Sequence, residues 1–183
     1  MSSITVFCGS DKDPELAEKF YETGQMLVRH FDLVRFGGDI SPGTMMGDLA
    51  RGVLDNKGRL EGVISADYWP DNPDFPDGMR AIRVESEIER NHLTLSSDHI
   101  LIGPGQIGTL YEGVAALSFN RARVKRGEDV KPVIFLNLNG FFNKLTGFLE
   151  HSFDTFNEPP ANRDRYYTRV DSLEGLERHI TQG

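Results

Sequence analysis

The sequence predicts an α/β protein, with a three-layer Rossmann-like fold in which helices cover both faces of a mostly parallel sheet. Two observations lead to this prediction. Short, almost continuously apolar runs alternate with longer stretches of helical periodicity, a pattern typical of strands that are buried on both faces. Three of the apolar runs end directly at glycine, as expected where a tight turn leads from a strand into a helix. A chain of 183 residues suits a single Rossmann-like domain over residues 1–183.

The first part of the chain is expected to hold three strands, two helices and a loop. The first helix starts at Asp13-Pro14, because aspartate caps helix N-termini and proline suits the first turn. A second helix is expected over Met45–Leu54. The acidic, proline-containing segment Trp69–Gly78 is predicted to be a surface loop. The strands are expected at Ile4–Cys8, Leu33–Phe36 and Gly62–Ser65.

The remainder of the chain continues the alternation. Helical spacing predicts helices over Arg80–Leu95 and Leu110–Lys125. Core strands are predicted at His99–Ile102 and at Pro132–Leu136, the fifth in the series. A further helix is expected to carry its apolar residues on one face: Phe142, Leu145, Phe148, Leu149, Phe153 and Phe156. Tyr166–Val170 is expected to add an edge strand before a short terminal helix.

Composition and charge narrow the classes of function. The formal net charge of −8 argues against a nucleic acid or an anionic membrane as partner. A single cysteine, Cys8, cannot form an intramolecular disulfide, and we expect it to be a small core residue. With neither an apolar run of membrane length nor a recognisable signal peptide, the sequence predicts a cytoplasmic protein. The five histidines lack metal-ligand spacing, so we expect neither a metal nor a cofactor.

The glycines that end three strands mark the expected binding site. They are Gly9, the pair Gly37-Gly38, and Gly103-Pro104-Gly105. In an open parallel sheet, ligands bind beyond the carboxyl ends of the strands, where the connections diverge. Three such turns along one edge describe a crevice of nucleotide size. A simpler alternative is that each glycine only permits a tight turn.

The segment from Gly105 to Glu112 is the most informative part of the chain. A glycine-rich turn into a helix exposes backbone N–H groups beside the positive end of the helix dipole, which favours bound phosphate. Glu112 would lie about one turn into that helix, close to whatever the phosphate carries. Alternatively, Glu112 is only a favourable charge near a helix N-terminus. The residues expected to bind phosphate or nucleotide are Gly9, Ser10, Gly37, Gly38, Gly105, Gln106, Ile107, Gly108 and Thr109.

Four motifs of the chain form a recognisable set. They are Val6-Phe7-Cys8-Gly9-Ser10, Phe36-Gly37-Gly38 with Gly43-Thr44-Met45-Met46-Gly47, Pro104-Gly105-x-x-Gly108-Thr109-x-x-Glu112, and Leu136-Asn137-Leu138-Asn139-Gly140. Together they resemble a known family, the cytokinin-activating phosphoribohydrolases often called Lonely Guy, many of which were once labelled lysine decarboxylases. The resemblance covers residues 3–180. It implies a dimeric Rossmann-like hydrolase that cleaves the N-glycosidic bond of a nucleoside 5′-monophosphate, such as AMP or a cytokinin riboside monophosphate.

The resemblance also implies two catalytic residues. One is an arginine on the helix before the fourth predicted strand, and the other is the glutamate at the end of the glycine motif. Glu112 takes the second position. Glu89-Arg90-Asn91 is similar to the family's Glu-Arg-Lys, which makes Arg90 the candidate arginine. Arg83, two turns earlier on the same predicted helix, is a weaker candidate, and a surface ion pair of Arg90 with a nearby glutamate is an alternative to catalysis.

Four departures from the family pattern keep a second function open. Gln106 replaces a glycine of the phosphate turn, Tyr111 an acidic residue, Asp39 a third glycine and Asn91 the lysine beside the arginine. A chain with these changes could bind or sense a nucleotide without hydrolysing it. A decarboxylase has no support, because no lysine-centred cofactor site is visible and Lys131 precedes a proline at a strand start.

Overall fold

In the computed structural model, which describes residues 2–182, seven parallel strands form one sheet with helices on both of its faces. The strands are β1 (Ser3–Phe7), β2 (Leu33–Phe36), β3 (Leu60–Ser65), β4 (Met79–Val84), β5 (His99–Ile102), β6 (Val133–Leu136) and β7 (Thr168–Val170). The helices are α1 (Pro14–Val28), α2 (Met45–Asp55), α3 (Glu87–Thr94), α4 (Ile107–Arg126), α5 (Asn143–Thr155), α6 (Pro160–Arg163) and α7 (Leu173–Gln182).

The order of the strands determines where a ligand can bind. The sheet runs β4-β3-β2-β1-β5-β6-β7, and every pair of neighbours is parallel. The chain builds one half of the sheet outward from β1 and then returns to add β5 on the other side of β1. In such a sheet the connections after β1 and β5 leave toward opposite faces, so a crevice opens between them. The predicted Rossmann-like α/β fold is confirmed.

The strands supply side chains alternately to two hydrophobic cores, one on each face of the sheet. Val6 belongs to the core beneath α1, α2 and α7, whereas its neighbour Phe7 belongs to the core beneath α4 and α5. In the same way Leu101 faces the first core, while Ile100 and Ile102 face the second. Because both faces of the sheet are buried, successive residues of a strand are apolar. These continuous apolar runs allowed most of the strands to be predicted from the sequence.

Helices α1 and α2 pack unusually closely. A Cβ on Gly24 of α1 would lie 2.5 Å from the carbonyl oxygen of Leu49, and one on Gly52 of α2 would lie 2.2 Å from that of Tyr21. Side chains at these two positions would therefore force the helices apart. The close contact holds α2 against the sheet, and α2 begins directly after the loop that follows β2.

The predicted helix over Arg80–Leu95 is wrong in its first half. Residues Met79–Val84 form β4, which pairs with β3 from Leu60–Met79 to Ser65–Val84, and the helix starts only at Glu87. Ser86, two residues after the end of the strand, caps the helix, since its hydroxyl accepts a 3.2 Å hydrogen bond from the backbone N–H of Glu89. The spacing Ser86-x-x-Glu89 is typical of a helix start and could have located the boundary.

The structure also differs from the prediction in three smaller ways. Pro132–Leu136 contains the sixth strand in chain order, and the short α6 was not predicted. The predicted apolar face of α5 is partly wrong: Leu145, Leu149 and Phe153 pack against the core, but Phe148 and Phe156 are 66% and 80% exposed.

Across residues 2–182, we find no helix that is both long and apolar enough to cross a bilayer.

Candidate active site

A cleft of about 800 Å³ lies at the carboxyl ends of β1, β2 and β3 and reaches the first turns of α3 and α4. Its position matches the crevice expected where the strand order reverses. The chain segments that line it are far apart in sequence, from residue 6 to residue 112. The volume is within the range usual for small-molecule sites.

The turns after β1 and β5 are in direct backbone contact at the floor of the cleft. The N–H of Gly9 donates a 2.9 Å hydrogen bond to the carbonyl oxygen of Pro104. A Cβ on Gly105 would lie 2.9 Å from the nitrogen of Gly9 and 2.3 Å from Oγ1 of Thr109. Gly105 is therefore required for close packing of the two turns, which is a more specific role than flexibility.

An ion pair between Arg90 and Glu112 forms the wall of the cleft next to these turns. Nη1 of Arg90, on α3, donates a 2.8 Å hydrogen bond to Oε1 of Glu112, on α4. Glu112 is 6% exposed, and the Arg90 side chain is also largely buried. Both residues nevertheless line the cleft, so a ligand in the cleft would meet a paired charge that is shielded from bulk water.

Burial and pairing act in opposite directions on Glu112. Burial raises the pKa of the Glu112 carboxyl, because a charged carboxylate loses hydration inside the protein. The positive charge and hydrogen bond of Arg90 lower that pKa, and the negative charge of Glu87 raises it. The net effect is a pKa above the usual range for glutamate, a property common among residues that take part in catalysis.

Arg90 is held in place by two further contacts. Its Nε donates a 3.1 Å hydrogen bond to the carbonyl oxygen of Val63 on β3. Its Nη1 also lies 3.2 Å from Oε2 of Glu87, one turn earlier on α3. The guanidinium is thus fixed between the sheet and the two helices.

Helix α3 itself is anchored at its other end by two cations. Arg35 of β2 donates a 3.1 Å hydrogen bond to the carbonyl oxygen of Leu93. Nζ of Lys131 donates to the carbonyl oxygens of Leu95, Ser96 and Ser97, at 3.0, 2.7 and 2.7 Å. Cations at a helix C-terminus satisfy its last carbonyl groups and complement its dipole. Lys131 therefore has a structural contact at the far end of α3 and does not line the cleft.

Most of the residues expected from the sequence lie together in the cleft. Arg90 and Glu112 line it, and so do seven of the residues expected to bind phosphate or nucleotide: Gly9, Ser10, Gly37, Gly38, Gln106, Gly108 and Thr109. Gly105 lies beneath the cleft, in contact with Gly9. Ile107 does not line the cleft, and its side chain is 79% exposed on α4. Arg83 lies on strand β4, not on a helix with Arg90, and its side chain is exposed outside the cleft.

Gln106 sits at the N-cap position of α4, where it provides no capping hydrogen bond. Its side chain is exposed at the mouth of the cleft. A Cβ on Gly108, two residues later, would meet no atom within 4 Å.

The loop after β3 is a part of the cleft that sequence reasoning missed. Tyr68, Asn72, Asp74 and Phe75 all line the cleft. The last three lie in the segment Trp69–Gly78, which was predicted only to be a surface loop, and Tyr68 directly precedes it. Trp69 and Phe75 meet edge to face with ring centroids 5.4 Å apart, which gives the loop its own small apolar contact. The loop follows a strand at the same edge of the sheet as the glycine turns, and that position was a usable signal.

Cys8 lines the cleft but is a poor candidate nucleophile, and none of the five histidines lines the cleft. Cys8 is buried at the end of β1, and burial, together with the charges of Glu112 and Asp39, raises the pKa of its thiol. A thiol in such surroundings is a poor nucleophile. Within residues 2–182 no group of three or more histidine, cysteine, aspartate or glutamate side chains is arranged to hold a metal ion.

Comparisons with known proteins identify a family and named relatives that the chain resembles. Residues 46–180 match the model of the family described as "Possible lysine decarboxylase". The chain is 28% identical over 166 residues to the "Probable cytokinin riboside 5'-monophosphate phosphoribohydrolase LOGL5" of Oryza sativa subsp. japonica, covering 87% of this chain and 64% of that protein. It is 27% identical over 170 residues to the cytokinin riboside 5'-monophosphate phosphoribohydrolase of Rhodococcoides fascians, covering 89% of this chain and 81% of that protein.

Solved structures show the same fold. The molybdenum cofactor binding protein of Rippkaea orientalis superimposes with a TM-score of 0.69 at 21% identity, over 98% of this chain and 95% of that one. At this identity the likeness concerns the path of the backbone and carries no information on the ligand.

Proposed function

The chain belongs to the Lonely Guy family, and we propose that it is a nucleoside 5′-monophosphate phosphoribohydrolase, a hydrolase that releases a free base and ribose 5-phosphate. The observation that carries the proposal is the buried Arg90–Glu112 pair, 2.8 Å apart, on the wall of a cleft at the reversal of strand order. AMP or a cytokinin riboside monophosphate fits the proposal, because relatives at 27–28% identity are named for the latter substrate.

In the proposed reaction, Glu112 acts on the ribose. Breaking the bond between C1′ and the base nitrogen leaves the electron pair with the base and positive charge on the ribose ring. A carboxylate on the cleft wall stabilises that charge and orients the water that adds to C1′. The oxygen of water joins C1′, one of its protons passes to solvent, and the departing base gains one. The low exposure of Glu112 strengthens its field at the ribose.

Arg90 and the first turn of α4 are proposed to hold the rest of the nucleotide. The guanidinium stays charged and offers a planar set of donors to sugar or phosphate oxygens. Gly108 and Thr109, in the first turn of α4, line the same cleft. Backbone donors at a helix N-terminus favour an anion, so we propose that the 5′-phosphate binds there and that AMP is preferred over adenosine.

We also propose that the protein forms a homodimer through α4. Four apolar side chains of this helix are exposed at the spacing i, i+3, i+4, i+7, which places them on one face: Ile107, Leu110, Tyr111 and Val114. An exposed apolar stripe of this length commonly marks a protein interface, and homo-oligomers are usually two-fold symmetric. The same helix carries Glu112, so the interface would lie beside the cleft. The cytoplasmic location stays a prediction.

A second candidate function is binding of a nucleotide without hydrolysis. The exposed Gln106 side chain at the mouth of the cleft favours it, because an amide there adds donor and acceptor groups to a turn that otherwise offers only backbone. Incubating the protein with AMP and measuring free adenine separates the two functions. Release that depends on Glu112 supports the hydrolase, whereas tight binding without release supports the binding protein.

A further inference from the structure

The contacts around Arg90 extend to a second carboxylate that the proposed reaction does not use. Glu87, in the first turn of α3, accepts a hydrogen bond from Nη1 of Arg90 at 3.2 Å through its Oε2. Its other oxygen, Oε1, accepts a short hydrogen bond from the buried hydroxyl of Ser65, the last residue of β3. Ser65, Glu87, Arg90 and Glu112 therefore form one continuous chain of contacts from β3 through α3 to α4.

We infer that Glu87 is a positioning residue for the Arg90–Glu112 pair: it holds the Arg90 guanidinium between two carboxylates so that its free amino group faces the cleft. This inference rests on the proposed function for its consequence in catalysis, but the geometry of the chain of contacts is independent of the reaction.

The distribution of the Arg90 donors supports the inference. Nε is bound to the carbonyl oxygen of Val63, and Nη1 is shared by Glu87 and Glu112. For Nη2 we find no hydrogen bond within the part of the chain that the structure describes, and a Cβ on Gly37 would lie 2.8 Å from it. Gly37 lines the cleft. By accepting a hydrogen bond from Nη1, Glu87 helps to hold the guanidinium in the orientation in which Nε binds Val63 and Nη2 stays available for a ligand.

Glu87 is suited to this task by its place in the fold. The first turn of α3 is capped by Ser86, and the positive end of the helix dipole favours a carboxylate there. The hydrogen bond from Ser65 prevents the Glu87 side chain from rotating into solvent, although it is partly exposed. A flexible surface ion pair would contribute little, whereas a carboxylate tied at both oxygens restricts the arginine.

The second effect of Glu87 is electrostatic. Its negative charge raises the pKa of the Glu112 carboxyl, and it competes with Glu112 for the same nitrogen of Arg90. Both effects disfavour the charged form of Glu112, so their loss should lower the pKa of Glu112. The other ionisable groups facing Glu112 are Arg90, on α3, and the Cys8 thiol, at the end of β1, which in turn faces Asp39.

An NMR titration tests the inference without requiring activity. The carboxyl carbon of Glu112 is observed in ¹³C-labelled protein, assigned with Glu112→Gln, and titrated in wild type, Glu87→Gln, Glu87→Ala and Glu85→Gln. Glu85→Gln is the matched control, because Glu85 is exposed, lies two residues away and does not line the cleft. We expect the titration midpoint of Glu112 to move to lower pH in both Glu87 variants and to stay in place in the control. An unchanged midpoint in Glu87→Gln would overturn the inference.

A kinetic measurement then separates positioning from a merely structural role. With AMP as substrate, Glu87→Gln should lower kcat by about tenfold with little change in KM, because the guanidinium loses one of its anchors. The acid limb of the kcat profile should also move to lower pH. If wild type cleaves no monophosphate, the proposed function fails, and the NMR midpoint still decides the role of Glu87. If wild type is active and the acid limb of Glu87→Gln is unmoved, the inference fails while the proposed function stands.

Discussion

Arg90 and Glu112 come from two different helices, and a 2.8 Å hydrogen bond joins them at the wall of the cleft. The chain between them contains the rest of α3, the whole of β5 and the glycine turn. The contact therefore depends on the correct placement of both helices against the sheet. It also means that neither residue is buried as an isolated charge, which would be strongly unfavourable.

Removing one partner of this pair should cost more than removing both. In Arg90→Gln, the buried Glu112 loses its cation, and we expect a loss of about 3 kcal/mol in the free energy of unfolding at neutral pH. The double variant Arg90→Gln/Glu112→Gln should recover most of that loss. Urea unfolding of wild type, both single variants and the double variant measures the coupling. Additive single-variant effects would show that the two side chains do not interact.

The pH dependence of stability should carry the signature of Glu112. Because the pKa of Glu112 is raised in the folded state, its contribution to stability is fully present below the unfolded pKa and is lost as pH rises through the folded pKa. The free energy of unfolding of wild type, measured relative to Glu112→Gln, should therefore decrease as pH rises from the ordinary glutamate pKa toward neutrality. Urea titrations at a series of pH values test this. A difference that is constant with pH, or that increases, would contradict it.

Asp98 provides an internal contrast of opposite sign. Hydrogen bonds from Ser3 lower the pKa of the Asp98 carboxyl, so the stability that it contributes is present above the unfolded pKa and is lost as pH falls through the folded pKa. Comparing wild type with Asp98→Asn in the same titrations should give a slope opposite to that for Glu112.

A methyl group at Gly37 should interfere with Arg90. The added Cβ would lie 2.8 Å from Nη2 of Arg90 and 3.0 Å from the sulfur of Met46, so the guanidinium must move. We expect Gly37→Ala to lower kcat/KM for AMP by about tenfold or more. Gly147→Ala on α5 is the matched control, since its Cβ would meet no atom within 4 Å; it should leave activity unchanged and raise stability by about 0.5–1 kcal/mol. Equal activity of the two variants would show that Nη2 of Arg90 does not contribute to binding or cleavage of AMP.

The proposed dimer can be tested on the exposed stripe of α4. Leu110→Glu places a charge in the middle of the stripe and should convert a dimer, of twice 20.5 kDa, into a monomer. Phe148→Glu is the control, because Phe148 is exposed on α5 and not part of the stripe. Light scattering at micromolar concentration gives the mass of each. A monomeric wild type, or a Leu110→Glu variant that stays dimeric, would contradict the prediction.

The parts of the fold and site that the sequence predicts are those encoded locally. Continuous apolar runs identify the central strands, because these are buried on both faces, and glycine after a strand identifies the turns of the cleft. Strand β4 lies at the sheet edge and carries arginines at positions 80 and 83, so its apolar spacing fits a helix as well as a strand. Only its pairing with β3 and the cap at Ser86 decide between the two.

The remaining features depend on contacts between distant segments. The loop between β3 and β4, which contains a short helical turn at residues 66–68, lines the cleft together with the turns after β1 and β5, which are far from it in sequence. The hydrogen bond between Ser65 and Glu87 joins a strand end to a helix start 22 residues later. Neither residue belongs to a motif, so no local pattern could have linked them to Arg90.

The central claim is that this cleft hydrolyses the N-glycosidic bond of a nucleoside 5′-monophosphate with Glu112. The most direct measurement incubates wild type and Glu112→Gln with AMP and with adenosine and quantifies adenine and ribose 5-phosphate by chromatography. Glu18→Gln, an exposed charge on α1, is the control. The account predicts adenine and ribose 5-phosphate in equal amounts from AMP, much less adenine from adenosine, and a fall in turnover of about a hundredfold or more in Glu112→Gln. No adenine from AMP or any other monophosphate, or full turnover by Glu112→Gln, would contradict it.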